Sequence, residues 1–331
     1  MIRTELEITP CEVDPLRSSV ALPNQHVLFP YGLPLLIKSN HIVAIRVAES
    51  SWGSCRVRFQ EKPIEIRILV TNVPPRRKPP QPIFRAQANL MTIVADAQNY
   101  ACCDLTRGMG FAILSRAAIR DRDYLRYYFI EAMAYTLLDA LHLVIFHAAC
   151  VAFHSCGFIL VGASGAGKSS LSYACAKRGW TYISDDATAV LRRRPNRVAL
   201  GHPRTFRFRP AAAELFPEIS GPIKLRNQKP TIEIPTESLS GIQTAESCNI
   251  HFILFLKRST DPGCQAALMP ISKESALRHL FYQILPDELG IAQDRFHAIE
   301  SILNETRCYE LIYRDLAAAV DLLERLAAAL P

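Results

Sequence analysis

The sequence predicts an α/β chain with mixed (α+β) sheets, divided into an N-terminal α+β module over 1–120 and a second domain over 121–331. Three observations predict it. A run of short β-like segments over 83–115 is followed by one long helix-spaced stretch. Beyond residue 143, β-rich blocks alternate with helix-compatible ones. Glycine is scarce, 14 in 331 residues, yet Gly157, Gly162, Gly165 and Gly167 fall within eleven residues, at a β-to-helix change.

Taken in order, residues 24–38 read as extended chain turning at Pro30–Gly32, 41–51 as a short helix, and Ile64–Val70 as an alternating strand. Five prolines between Pro74 and Pro82 exclude a helix or central strand there and read as a stiff connector. Asp121–Leu141 places Leu125, Tyr128, Phe129, Ala132, Met133, Thr136 and Leu137 at helical spacing, with Asp121 as N-cap. Residues 143–153 and 157–161 follow as β blocks, and Cys308–Tyr313 and Arg314–Leu330 close the chain as a strand and a helix.

Composition narrows the function classes. With 49 % apolar and 21 % charged residues the chain can bury a core. The net charge of +7 is evenly spread, 17 basic and 13 acidic residues in 1–150 against 21 and 18 beyond, so no nucleic-acid arm is expected. The ten cysteines form no C-x-x-C pair and read as reduced core residues. The longest apolar stretch, Leu143–Phe153, falls short of the ~20 residues of a spanning helix. The start of the chain has no apolar signal-peptide region. A soluble cytoplasmic protein without a membrane partner is expected, and a homo-oligomer is compatible with the sequence.

Gly162-Ala163-Ser164-Gly165-Ala166-Gly167-Lys168-Ser169 satisfies G-x-x-x-x-G-K-[ST] in full. The β-run Gly157–Val161 precedes it and the helix-compatible Lys168–Arg178 follows, with Gly179 as the stop. Glycines let backbone N–H groups close on a phosphate, and the helix N-terminus adds partial positive charge. The motif assigns residues 162–169, with Ser170 beside them, to a nucleotide, Lys168 to its β- and γ-phosphates, and the Ser169 hydroxyl to Mg²⁺.

Trp180–Ser184 reads as the next strand and ends at Asp185-Asp186. If the two strands are neighbours in one sheet, both carboxylates emerge near the loop. One can then serve Mg²⁺ and the other accept a proton from an attacking hydroxyl. Ser169 and Asp186 are the expected metal residues, with the base role open between the two aspartates.

At this point the sequence resembles the HPr serine kinase/phosphorylase family. The likeness rests on His147-Ala-Ala-Cys-Val151, the loop itself, Lys177-Arg-Gly179 and Ile183-Ser-Asp-Asp186, about 45 residues in all. It implies a P-loop kinase core with a fold like phosphoenolpyruvate carboxykinase. It further implies ATP and Mg²⁺ as cofactors, a protein or peptide serine as phosphoacceptor, and His147 near the transferred phosphate. Catalytic work then falls to Asp185, Asp186, His147 and Lys168. Two departures stand out. Ser170 occupies the place of a family acidic residue, and no E-V-R-G-type signature is found, so neither the phosphorylase reaction nor HPr as acceptor is implied.

Between Ala187 and Ala213 lie seven arginines and no acidic residue. Val190–Arg194 and Arg197–Leu200 read as a hairpin. Arg204, Arg207 and Arg209 occupy a second extended piece and are expected to stabilise phosphoryl charge or grip an acidic substrate. The competing expectation is an ATPase or nucleotide switch with no phosphoacceptor. GTP is not expected, because the chain has no N-K-x-D run.

Overall fold

The computed structural model describes residues 21–72, 78–193, 197–226, 229–281 and 292–329. It is a mixed α/β structure built on two large sheets and one small one.

The first sheet begins with β1 (Asn24–Leu28) and β2 (Leu35–Ser39), followed by helix α1 (Ile42–Trp52) and β3 (Ile64–Thr71). It continues through the meander β4 (Ile83–Gln87), β5 (Leu90–Asp96), β6 (Asn99–Asp104) and β7 (Met109–Ser115). The spatial order is β1-β2-β3-β7-β6-β5-β4, with β2, β3 and β7 mutually parallel. Alternation decides its inner face: Leu35, Ile37, Ile64, Ile66 and Ile68 are at most 2 % exposed and share one core with Ala44 and Ala48 of α1 and with Met133 and Leu137 further along the chain. Pro74 and Pro75 of the proline connector lie outside the described residues. Its later part is irregular and tied down, with Tyr124 Oη donating to the Pro80 carbonyl at 2.8 Å.

After β7 come α2 (Arg116–Arg120) and α3 (Arg122–Leu125), the latter capped by the Asp121 carboxylate accepting from Tyr124 N–H. A π-turn over Arg126–Ile130 then leads into α4 (Glu131–Leu141). The single regular helix expected over Asp121–Leu141 is thus interrupted by one wide turn. Such a turn inserts a residue and rotates the helix face. Phe129 and Ile130 still reach the core, while Arg126 and Tyr127 both turn toward the same distant carboxylate.

The expected single β block 143–153 is two strands, β8 (Leu143–Phe146) and β9 (Ala148–Phe153), parted at His147. The chain changes partners there: further along, β8 meets Thr188–Leu191 and β9 meets Cys156–Val161. His147 sits in neither ladder and is left half-exposed. Next come β10 (Cys156–Val161), α5 (Lys168–Lys177), β11 (Thr181–Ser184), β12 (Thr188–Leu191) and β13 (Val198–Leu200). β12 and β13 pair antiparallel as expected, and residues 194–196 of their connecting turn lie outside the described residues. The small sheet is β14 (Thr205–Phe208), β15 (Ile223–Arg226) and β16 (Lys229–Pro235) in the order β14-β16-β15.

The chain ends with β17 (Gln243–Thr244), the long β18 (Ser247–Arg258), β19 (Ala267–Pro270), α6 (Lys273–Phe281), α7 (Ala292–Glu305), β20 (Arg307–Tyr313) and α8 (Leu316–Ala328). In the second sheet the order is β17-β11-β9-β10-β18-β13-β12-β8, with β20 also joined to β18. Strands β10, β18 and β20 run parallel through its middle. Alternate side chains of β10 divide between two cores. Phe158 and Leu160 pack toward α5 and α8, whereas Ile159 and Val161 pack toward α6 and α7. The end of β10 and the start of α5 lie at the C-terminal ends of the central parallel strands. No described helix is long and apolar enough to cross a membrane.

Candidate active site

β10 ends at Val161 and α5 starts at Lys168, so residues 162–167 form the turn between them. Gly165 and Gly167 adopt φ of +90° and +96°, which L side chains rarely adopt. Gly167 is constrained twice, because a Cβ there would lie 2.3 Å from Tyr313 Oη. That hydroxyl donates to the Ala166 carbonyl at 3.0 Å and ties the loop to β20. The Lys168 ammonium folds back over the turn, donating to the carbonyls of Gly162 at 2.6 Å and Ala163 at 3.3 Å. Burial pushes it below the ordinary lysine range, against the opposing pull of Asp186 and Asp185.

The aspartates arrive by a different route from the one the sequence suggests. β11 is not the neighbour of β10; β9 lies between them, antiparallel to both. The insertion still brings Asp185 and Asp186 to the loop, because β11 and β10 end on the same edge. It also brings His147, at the start of β9, alongside: its Nδ1 is 3.0 Å from Asp186 Oδ1 and 3.1 Å from the Asp186 carbonyl oxygen. The two carboxylates differ in setting. Asp186 is 29 % exposed, whereas Asp185 is 3 % exposed. Arg207 N–H donates to Asp185 Oδ2 at 2.5 Å, and its guanidinium lies 3.8 Å from Oδ1.

These groups line one cleft of about 540 Å³. His147, Ser164, Gly165, Gly167, Lys168, Ser169, Ser170, Asp185, Asp186, Arg207 and Arg209 all face it. The structure thus brings together most of the residues that the sequence singled out. Gly162, Ala163 and Ala166 complete the turn without lining the cleft. Arg204 is placed elsewhere, in a separate chamber of about 40 Å³ behind the aspartates with Ser51, Glu131 and His202. Arg209 reaches the Pro230 carbonyl at 3.0 Å and Thr231 Oγ1 at 3.3 Å, while the Arg207 guanidinium is bound to carboxylates of the protein itself.

Sequence reasoning misses Lys229, Thr231 and Arg258 on the cleft wall, and Glu233 behind it. Lys229 Nζ stands 3.4 Å from Ser164 Oγ, across the cleft mouth from the loop. Glu233 holds Arg207 Nε at 3.0 Å. Burial pushes its carboxyl upward, but Arg207, Tyr127 and Arg126 together bring it below the usual range. No local pattern marks these residues; each matters only because the small sheet folds over the loop.

Magnesium takes oxygen donors, few of them from protein, and keeps water and phosphate oxygens. The Ser169 hydroxyl and the two carboxylates on the cleft wall fit that chemistry. Among the described residues no group of three or more His, Cys, Asp or Glu is arranged to hold a metal ion.

No family model matches the chain, and no curated protein matches it. Among solved structures it is similar to the HPr(Ser) kinase/phosphatase from Coxiella burnetii, at 14 % identity over 56 % of this chain and 92 % of that one. The TM-score is 0.28, a weak likeness that leaves the functional reading to the site itself.

Proposed function

We propose that the chain is an ATP- and Mg²⁺-dependent kinase that transfers the γ-phosphoryl group to a serine hydroxyl of a protein or peptide, in the manner of HPr kinases. The observation that carries this reading is the Asp186–His147 pair on the wall of the cleft that Lys168 and Ser169 also line. A glycine turn alone would serve any nucleotide binder, whereas a hydrogen-bonded carboxylate beside it supplies a proton acceptor. In this reading the loop N–H groups and Lys168 hold the phosphates, and Ser169 offers an oxygen to Mg²⁺, which neutralises phosphate charge when bound. Asp186, the more exposed carboxylate, accepts the proton of the serine hydroxyl while His147 orients it. The serine oxygen bonds to the γ-phosphorus, the bond to the β-bridging oxygen breaks, and ADP leaves. Asp185, buried and held by Arg207, lends its charge to the metal side.

Incubation with γ-labelled ATP, Mg²⁺ and proteins or peptides encoded by neighbouring genes tests the reading. Labelled acceptor serine is the expected result. Phosphate release to water alone would favour the nucleotide-switch alternative. Asp185→Asn and Asp186→Asn should each suppress transfer with most ATP binding retained, and Lys168→Ala should weaken binding at least tenfold. Equal loss of ATP affinity in all three would sink this division of roles.

A further inference from the structure

Behind the cleft, a continuous chain of polar side chains runs from Asp185 into the N-terminal part of the molecule. Arg207 bridges Asp185 and Glu233. Glu233 accepts from Tyr127 Oη and lies 3.9 Å from Arg126 Nη1. Arg126 Nε donates to Glu131 Oε1 at 2.7 Å, and the same oxygen accepts from Ser51 Oγ on α1 at 3.0 Å. Five segments, residues 51, 126–131, 185, 207 and 233, thereby share one buried network.

Two features make it more than packing. Arg126 and Tyr127, consecutive residues of the π-turn, both reach the same oxygen, Glu233 Oε2, so one turn of the chain holds that carboxylate from two sides. Moreover, the Arg207 N–H that fixes Asp185 belongs to β14, whose register on β16 pairs Arg207 with Glu233 itself. Whatever anchors Glu233 therefore anchors the strand that holds Asp185.

We infer that Arg126, Tyr127 and Glu233 are positioning residues through which the N-terminal helices hold Asp185 in its working place. The inference rests on the kinase reading for its catalytic consequence, but its structural claim is separable. A buried charge left unmatched destabilises a fold strongly, whereas removing both members of a pair often costs little. The decisive variants, made in the full chain, are therefore Tyr127→Phe and the paired Arg126→Met/Glu131→Met.

Two readouts are needed. The first is turnover of MgATP against its Kd, across pH. Both variants should keep the Kd within about threefold, because the loop is untouched, and lose turnover about tenfold or more (~1.4 kcal/mol per decade). In Tyr127→Phe the acid limb of turnover should also move to higher pH, since Glu233 loses a hydrogen bond that favours its charged form. The second readout is amide hydrogen exchange of the segment carrying Arg207, which should speed up in both variants but not in a surface control such as Lys257→Ala. Variants that melt like the parent, turn over like the parent and protect that amide equally would overturn the inference. If the parent itself shows no transfer and no phosphate release, the kinase reading fails, while the exchange result still decides the positioning claim.

Discussion

The phosphate loop and the aspartate corner lie on one cleft but are built in opposite ways. The loop consists of consecutive residues, and its conformation is set by two left-handed glycines and the start of α5. The aspartate corner is assembled from segments spread between Ser51 and Glu233, and its geometry is set by charges that neutralise one another out of water. A site of the first kind is local, so damage to it should show in ligand binding. A site of the second kind is global, so damage should show first in folding. Substitutions in the two regions can break that contrast.

The largest effect is expected for Arg207→Met, which strands Asp185 and Glu233 without their shared cation. Such a loss costs about 3–5 kcal/mol, and chemical denaturation should read it directly. An unchanged midpoint would show that the network contributes little.

Next is acid sensitivity at His202, which lies between β13 and β14 against the end of α1. Its Nε2 lies 2.7 Å from the Ser51 carbonyl oxygen, and Cys55 Sγ is 3.5 Å from Nδ1. Burial, the dominant cause, lowers its pKa from 6.5 to about 4. Between those values the unfolded chain takes up a proton that the folded chain refuses. Stability is therefore lost as pH falls from 6.5 through 4, by up to about 3 kcal/mol. Melting curves from pH 7 to 4 should be flatter for His202→Gln; parallel curves would remove His202 from the account.

Gly167→Ala comes third. Left-handed strain costs roughly 1–3 kcal/mol, added to the clash with Tyr313 Oη. Combining it with Tyr313→Phe should relieve the clash and leave the strain, so the double variant should recover only part of the lost ATP affinity. Full recovery would mean that φ is not limiting. The smallest effect should be Arg178→Ala. Arg178 pairs with Asp321 and, at 3.8 Å, with Glu324 on the surface. Exposed pairs contribute about 0–1 kcal/mol, so a small shift in melting with unchanged ATP affinity is expected.

How far the site could be read in advance follows the same division. His147 shows both sides: the resemblance pointed to it, but its position at a break between β8 and β9, facing Asp186, depends on β9 entering between β10 and β11. The three arginines read as one group are parted by the fold, Arg204 into the rear chamber, Arg207 onto carboxylates and Arg209 onto the Pro230 carbonyl and the Thr231 hydroxyl. Charge density along a sequence does not say which cations will meet an anion of their own chain.

By itself the sequence determined the strand–turn–helix unit, its glycines, Lys168 and Ser169, and the aspartate pair that follows. Those features depend on neighbours a few residues away, through backbone dihedrals and helix capping. Only the tertiary structure decided the strand order and the partners of Asp185. Each of those pairs residues far apart in the chain, and which distant charges meet is settled by how the sheets and helices pack, a choice that no local pattern encodes.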